Sequence, residues 1–503
     1  MKVKKISGFI LLALLGATVS GQVRQPHSLY FMETIPQISQ MNPALQPRAN
    51  GYVTLVSANI DVMLGLAPKN ILQKHGNEWF SPIEKMYDYS KLRKDIGKKA
   101  TMFNFGADVD FLNFGFRSGN GYFSFGLSEH VSGNFSLPSD LFNVTDKGFP
   151  DNTLLDFSPL RIQGIAYMQL RLGYSHKVND KLTIGVNVKP LVGQAAIASK
   201  IEKFKIKTGV QQWDIDAKGN IYSSAPINLI MDAEDKNKIY DIETRDFDDY
   251  KWKDWATDYA TGLNNPGIAF DLGAAYRFDE RFTVSASLNN LGFISWKKDL
   301  NSASFNGKYS FRGVYYDYST DDDFGDLMRN LGDSILDVVK YSVKHDKFKT
   351  PLTPVLHAGA SYYLTETISV GVLSRSAFWK NGIRQSFNAS VYLQPYSFVA
   401  MNLGATYQVK GGVHLGGGFQ FLLGPLQIYF LVDNVPIHYS TLDIYNKKYN
   451  EERGEYTKNQ IFDVSYFPEN FKTITWRFGI NIIFGKHGYM NKPMLDKGKS
   501  SWN

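Results

Sequence analysis

Nine histidines, at positions His27, His75, His130, His176, His345, His357, His414, His438 and His487, are the side chains most able to move a proton or bind a metal near neutral pH. None falls in an H-E-x-x-H or similar spacing, which would set two imidazoles on one helix face around an ion. Glu129 precedes His130, but neighbours along an extended strand point to opposite faces, so the two cannot share a proton. No G-x-S-x-G turn, phosphate-cradling glycine loop or EF-hand series occurs. Carboxylates at 321–323 and 246–254 could meet calcium at a surface, yet loop carboxylates are ordinarily just solvated, and no metal site is assigned. Cysteine is absent, which removes thiolate metal sites, disulfides and cysteine nucleophiles. A protein that is not an enzyme and carries no cofactor is the expectation.

The N-terminus explains where a cysteine-free chain goes. Lys2, Lys4 and Lys5 precede an apolar stretch from Phe9 to Val19 and a small-residue site before Gln22, the layout of a secretory signal peptide spanning residues 1–21. Loss of those lysines takes the formal charge from +7 to about +4, too mild to imply nucleic acid. After the leader no run of eighteen apolar residues remains, and the mean hydropathy is −0.26. If this chain crosses a bilayer it does so as strands. Twenty-nine Tyr, 35 Phe and 8 Trp would supply aromatic girdles at the two lipid interfaces.

Strands are legible by parity. From Ile268 to Phe278 the even positions are apolar and the odd ones include Asp271, Gly273 and Arg277, then an Asp279-Glu280-Arg281 turn starts a second strand with the same contrast. Between Leu352 and Val432 five short turns, among them Asn381-Gly382, Lys410-Gly411-Gly412 and Gly424-Pro425, join six such strands. Less regular strands fall at 51–66, 101–117, 122–137, 160–178 and 182–198, with a phase slip at Phe111-Leu112, and a closing strand at 472–484 ends in Phe484. The total is fourteen. Short turns follow the even strands, while the long segments 67–100, 138–159, 202–264, 297–351 and 435–471 all follow odd ones. That segregation predicts an all-β, transmembrane, antiparallel up-and-down β-barrel over 51–485, with short periplasmic turns, long external loops and both ends of the barrel periplasmic. Residues 22–50 form a segment before it and 486–503 a periplasmic tail.

By the same parity Asp271, Arg375, Asn388, Asn402, Gln408, His414, Gln420, Gln427 and Arg477 line the lumen. They make a mixed lining that either braces a plugged interior or forms a selective polar pore. Strand-like pieces are expected at 204–210, 221–230 and 305–316 in the loops. Phe324, Leu327, Leu331, Ile335 and Val338 make one apolar face of an external helix, which packs on the barrel mouth or lines a site for an apolar ligand or partner.

Ahead of strand one the chain reads Ser28-Leu29-Tyr30-Phe31-Met32-Glu33, then Met41-Asn42-Pro43-Ala44-Leu45-Gln46-Pro47. A short segment with Asn-Pro-Ala before a fourteen-strand barrel resembles the long-chain fatty-acid transporter (FadL-like) family and its PorV-type relative of type IX secretion. The wording of residues 31–47 also resembles an uncharacterised group of Bacteroidetes outer-membrane proteins of unknown function. The resemblance implies a hatch inside the barrel with Asn42, Pro43 and Ala44 in it. On the residues alone, Asn-Pro-Ala is equally a rigid turn feeding strand one. The resemblance further implies sideways exit through a gap in the wall, for which Gly416-Gly417-Gly418 and the slip at Phe111 are candidates. The expected location is the outer membrane of a Gram-negative bacterium, and the expected role is binding or passing small hydrophobic molecules. The alternative is a barrel that anchors a surface protein or a secretion assembly. Expected partners are outer-membrane lipid, a hydrophobic small molecule and a surface or secretion-system protein.

Overall fold

Alternation between two solvents on successive residues is satisfied here by a closed wall. In the computed structural model, residues 24–485 are described except for 81–91, 232–238, 245–264, 313–338 and a number of shorter stretches. Fourteen antiparallel strands form the wall: β1 (Gly51–Met63), β2 (Ala100–Ser118), β3 (Gly121–Pro138), β4 (Arg161–Lys177), β5 (Leu182–Lys207), β6 (Pro266–Arg277) and β7 (Phe282–Trp296). The second half comprises β8 (Val355–Tyr363), β9 (Ile368–Trp379), β10 (Gly382–Tyr396), β11 (Val399–Gln408), β12 (Gly412–Leu423), β13 (Leu426–Asp433) and β14 (Thr473–Phe484). Each strand pairs with its sequence neighbour, and β14 closes on β1 with Gly51 opposite Phe484. Closure leaves no unpaired edge in the hydrocarbon, where a free N–H costs several kcal/mol.

The parity expectations hold on the lipid side. Ile268, Phe270, Leu272, Tyr276 and Phe278 are exposed, as are Val372, Phe387, Leu403, Tyr407, Val413 and Leu415 on β9 to β12. At the short-turn end the outward aromatics form a belt: Phe116 stacks on Phe123 at 5.5 Å, Phe123 meets Tyr174 at 4.8 Å, and Tyr276, Phe278 and Phe282 continue it. That is where a bilayer interface places amphipathic rings. The turns bear their predicted chemistry, with Gly119 at φ 55° and Gly424 at φ 63°, the left-handed region where a side chain would be strained.

Where regularity fails, an identifiable residue interrupts the ladder. The slip at Phe111-Leu112 is a bulge between Asp110 and Leu112, and both bulged side chains turn outward. Between β4 and β5 the pairing skips from Gln169–Leu191 to Leu172–Val188. Pro190, which has no N–H to donate, lies in that interval. Between β6 and β7 one extra residue makes a bulge, so that Asn289 and Asn290 together stand opposite Asp271, and Asn290 takes φ 61°. Asn tolerates that conformation.

On the long-loop side β5 continues beyond the wall and pairs with a strand at Trp213–Ser224, which pairs in turn with Leu300–Phe311. They contain part of each piece expected at 204–210, 221–230 and 305–316, and a further strand at Ile227–Met231 covers the end of the second. Their inner faces, with a helix at Ser139–Lys147, bury Leu141, Val144, Phe157, Ile206, Trp213 and Ile215 together. The expected helix face of Phe324, Leu327, Leu331, Ile335 and Val338 lies outside the described residues, as do the leader and the tail after 485.

Candidate functional site

Residues 24–50 thread the lumen from end to end. Arg24 bonds Asp61 and Gln408 near the long-loop end, whereas Arg48 reaches Gln394 and Tyr363 and the Pro47 carbonyl accepts from Arg117 at the short-turn end. Both ends of the barrel wall lie on the short-turn side, so the segment ahead of β1 carries its start across to the other side. Two 3-10 turns shape it, His27–Phe31 and Pro36–Gln40, the second begun by a proline whose missing N–H costs nothing there.

The segment has two faces. Leu29, Tyr30, Phe31, Met32, Ile35 and Met41 are buried with Leu373, Tyr392, Ala400, Tyr429 and Leu431 of the wall, a core that a barrel lumen does not otherwise need. Opposite, the seam β13–β14–β1–β2 receives the polar face. Gln37 donates to Thr54 and Asn481 (both 2.9 Å), and Asn481 donates back to the Gln37 Oε1 at 3.2 Å and to Gln427 at 2.8 Å. Gln427 donates to the Thr34 carbonyl at 2.8 Å and to Gln420. Arg477 donates to Asp110 and Ser57 (both 3.0 Å), to Gln40 (2.9 Å) and to Gln25. Each of these groups is deep in protein, where an unpaired amide or guanidinium would be costly.

Glycines in the wall make room for the segment. Gly185 on β5 lies directly opposite Gly273 on β6, and a β-carbon at either would collide with Asn42 or Pro43. Gly359 on β8 admits the Tyr30 ring and Gly371 on β9 the Phe31 ring. Asn42 closes the turn: its Oδ1 accepts the Ala44 N–H at 2.9 Å and its amide donates to the Tyr30 hydroxyl (3.1 Å) and the Ala286 carbonyl (3.2 Å). Ala44 is buried. The Asn42-Pro43-Ala44 unit is thus a turn whose backbone rests in a hollow of the wall.

The other sequence-derived lumen residues are distributed along the wall. Asp271 is fully buried, paired with Lys189 at 2.6 Å and bonded by Asn187 (2.9 Å) and the Asn290 N–H (2.8 Å), so the bulge serves to deliver that N–H. Asn388 donates to Thr406 at 2.9 Å. Asn402 is buried with both amide atoms unpartnered among the described residues. His414 bonds the Gly411 carbonyl at 3.0 Å at the rim and does not meet the segment in any described bond. Arg375 is buried at the level of His27. Gly416 and Gly418 stay paired on both sides and give space to Asp433 and Leu431, so they open no gap.

Sequence reading weighed His130 only beside Glu129 and did not place it, Asp108, Asp110, Arg171 or Lys189 in the lumen; all five lie on the irregular strands β2 to β5. His130 takes Asp108 on the adjacent strand at 2.6 Å and Ser128 on its own at 2.9 Å, while Glu129 faces away and accepts from Gln194 at 2.8 Å. Asp108 also accepts from Gln25 of the N-terminal segment at 3.0 Å. The cavity beside these groups measures about 60 Å³, room for a few waters, and the arrangement braces the segment. Cross-strand pairing, opposite parity partners on β2 and β3, is the signal that would have found it.

At the long-loop end His27 and Ser28 converge on Asp433. The carboxylate accepts the His27 backbone N–H at 2.5 Å, its imidazole Nδ1 at 2.7 Å and the Ser28 hydroxyl at 3.2 Å, and His27 Nε2 meets Ser386 at 2.9 Å.

A family model described as a family of unknown function (DUF5723) matches residues 43–433. The chain belongs to this family. The DUF5723 match begins at Pro43, seated between Gly185 and Gly273, and ends at Asp433, the residue that holds His27. No curated protein matches the DUF5723 chain. Among solved structures it is similar to the Ralstonia pickettii toluene transporter TbuX, at 9% identity over 93% of this chain and 96% of that one, with a TM-score of 0.41. It is also similar to a Pseudomonas aeruginosa FadL homologue (11% identity, 92% and 99% covered, TM-score 0.41). The Pseudomonas putida toluene transporter TodX is similar too (9%, 89% and 93%, 0.40).

Proposed function

We propose that this barrel resides in the outer membrane of a Gram-negative bacterium and binds or passes small hydrophobic molecules, with residues 24–50 as its hatch. The observation that carries the reading is a concavity on the lipid-facing wall. Across β6 to β12 the outward positions Ala274, Ala286, Ala360, Ala389 and Ala405 are small, between the taller Tyr276, Phe387, Tyr407 and Val413, and enclose about 930 Å³. Ligand sites commonly span roughly 300–1,000 Å³. Anything that reaches this hollow does so through hydrocarbon, so it must be apolar. Gly359 stands there between Ala358 and Ala360, and the inner side of the same patch is covered by Tyr30 and Phe31. The aqueous route is filled by the polar face of the hatch, which argues against a selective polar pore.

The test is uptake of tritiated dodecan-1-ol by cells carrying the full chain or Ala360→Trp, which fills the floor of the hollow. Uptake by the variant should fall to that of cells without the protein while heat-modifiable gel mobility shows an intact barrel. Equal uptake by both proteins would sink the reading.

A further inference from the structure

Among the described residues one charged side chain stands at the lipid-facing positions of β2, β3 and β4, that of Glu129. Its register partners on the same face, Val109 of β2 and Met168 of β4, are apolar. Glu129 lies six residues along β3 from Phe123 of the aromatic belt. A strand that rises about 3.3 Å per residue and tilts about 40° turns that separation into roughly 15 Å of depth. The apolar band is about 25 Å tall, so Glu129 sits in its outer half, on the long-loop side. A charge held on that face is costly and marks a site that uses it.

Two bulges build the surroundings of this carboxylate. Between β4 and β5 the pairing passes from Tyr167–Gly193 to Ala166–Ala195, so Gln194 is an extra residue without a partner across the ladder. Such an interruption re-aims a side chain. The Gln194 amide reaches across β4 and donates to the Glu129 carboxylate at 2.8 Å. Gln194 stands eight residues along β5 from Val186, the partner of Tyr174 in the belt, which is roughly 20 Å of depth. No other described bond uses either side chain, so the carboxylate keeps a second oxygen and the amide its carbonyl. The bulge in β2 turns Phe111 and Leu112 outward, 58% and 41% exposed, and Leu172 of β4 is 45% exposed. Half-buried Phe125 and Leu127 of β3 lie between these two apolar ridges, on the side of Glu129 toward the bilayer centre.

We infer that Glu129 and Gln194 form a docking site for an outer-leaflet lipid that carries amide and hydroxyl donors where its chains join its headgroup. A carboxylate at this depth needs donors, and an ionised acceptor makes the stronger hydrogen bonds. An ester-linked phospholipid brings only acceptors to that level. An amide-linked, hydroxylated chain brings an N–H and an O–H, and both the Glu129 oxygens and the Gln194 carbonyl accept them. The chain then runs over Leu127 and Phe125 between the ridges, and the headgroup stays in water. Depth selects a lipid over a soluble ligand, because the site faces hydrocarbon and not the lumen. This inference goes beyond the hollow on β6 to β12 and does not depend on it.

The experiment places the full-length chain in lipid nanodiscs made of equal parts of phosphatidylcholine and sphingomyelin. The two share a phosphocholine headgroup and differ at the junction, which is ester in the first and amide with a hydroxyl in the second. Native mass spectrometry of the protein released from the discs reads both the lipid it retains and the number of copies of the chain. The wild type should retain sphingomyelin over phosphatidylcholine by about tenfold, the scale of one charge-assisted hydrogen bond. Glu129→Leu should retain the two alike, and Glu129→Gln, which keeps an acceptor without the charge, should hold part of the preference. Both variants should keep the heat-modifiable gel mobility of the wild type, which separates a lost site from a lost fold. Equal retention of the two lipids by the wild type, none included, or a preference that survives Glu129→Leu, overturns the lipid site. A two-copy particle that Glu129→Leu splits, with neither lipid preferred, also overturns it and assigns the pair to an interface between copies.

Discussion

Gly185 and Gly273 are register partners on β5 and β6, and the turn at Asn42-Pro43 occupies the volume that their two absent side chains leave. Lock and seat therefore belong to different parts of the chain, one before the barrel and one in its wall. Neither glycine sits in a turn or at a positive φ, so the requirement comes from the other side of the contact.

Gly185→Val should unseat that turn. The atoms in the way are backbone, which cannot rotate aside, so the overpacking costs about 1–3 kcal/mol. The measurement is single-channel conductance in planar bilayers, where the variant should show frequent openings and the wild type few. A variant as quiet as the wild type would show that the seat is not needed to hold the segment in the lumen.

Tyr30 and Gly359 form a second such pair, since a β-carbon at Gly359 would lie 2.5 Å from the Tyr30 ring. Gly359→Ala should displace the ring and weaken its bonds to Ser285 (2.9 Å) and Asn42 (3.1 Å). In a double-mutant cycle with Tyr30→Ala the coupling should be about 1–2 kcal/mol, read from urea unfolding in detergent. Additive effects would place the two residues out of contact.

Arg477→Met removes the partner of Asp110 and one end of bonds to Gln25, Gln40 and Ser57. Leaving a carboxylate buried with little to meet it costs about 3–5 kcal/mol, whereas Arg477→Met with Asp110→Leu should recover most of that loss. Thermal scans of the two variants test it, and a single variant as stable as the wild type would contradict the bracing role.

Asp279 carries a pH prediction outside the lipid. The backbone N–H groups of Arg281 and Phe282 hold its carboxyl below the usual aspartate range in the turn between β6 and β7. A folded-state pKa that is depressed adds stability present above the unfolded value of about 3.9 and lost as pH falls through the lower folded value. The stability difference between wild type and Asp279→Ala should therefore be constant at neutral pH and shrink only below about pH 4. A difference that grows on acidification would show the sign to be wrong.

The barrel was legible in the sequence because its cause is local. Lipid on one side and protein on the other impose a period of two on each strand separately, so Phe387, Asn388 and Ala389 declare their faces without reference to anything distant. Short and long connections then assign the two ends. Asp271, Arg477, Gln420 and Gln427 could be placed in the lumen on parity alone, but not paired with anything. Asp110, Arg171 and Lys189 escaped because bulges at Phe111, between Gly193 and Ala195, and at Asn289 break the phase that parity depends on.

The number of strands, their faces and the sides of their turns were determined by the sequence by itself. Only the tertiary structure decided that residues 24–50 fill the barrel, that Gly185, Gly273, Gly359 and Gly371 are seats, and that Arg375 is buried with no hydrogen bond among the described residues. Those facts depend on groups hundreds of residues apart meeting across one lumen, as Gln37 meets Asn481. A local pattern records which way a side chain points, and closure of the wall settles what it finds there.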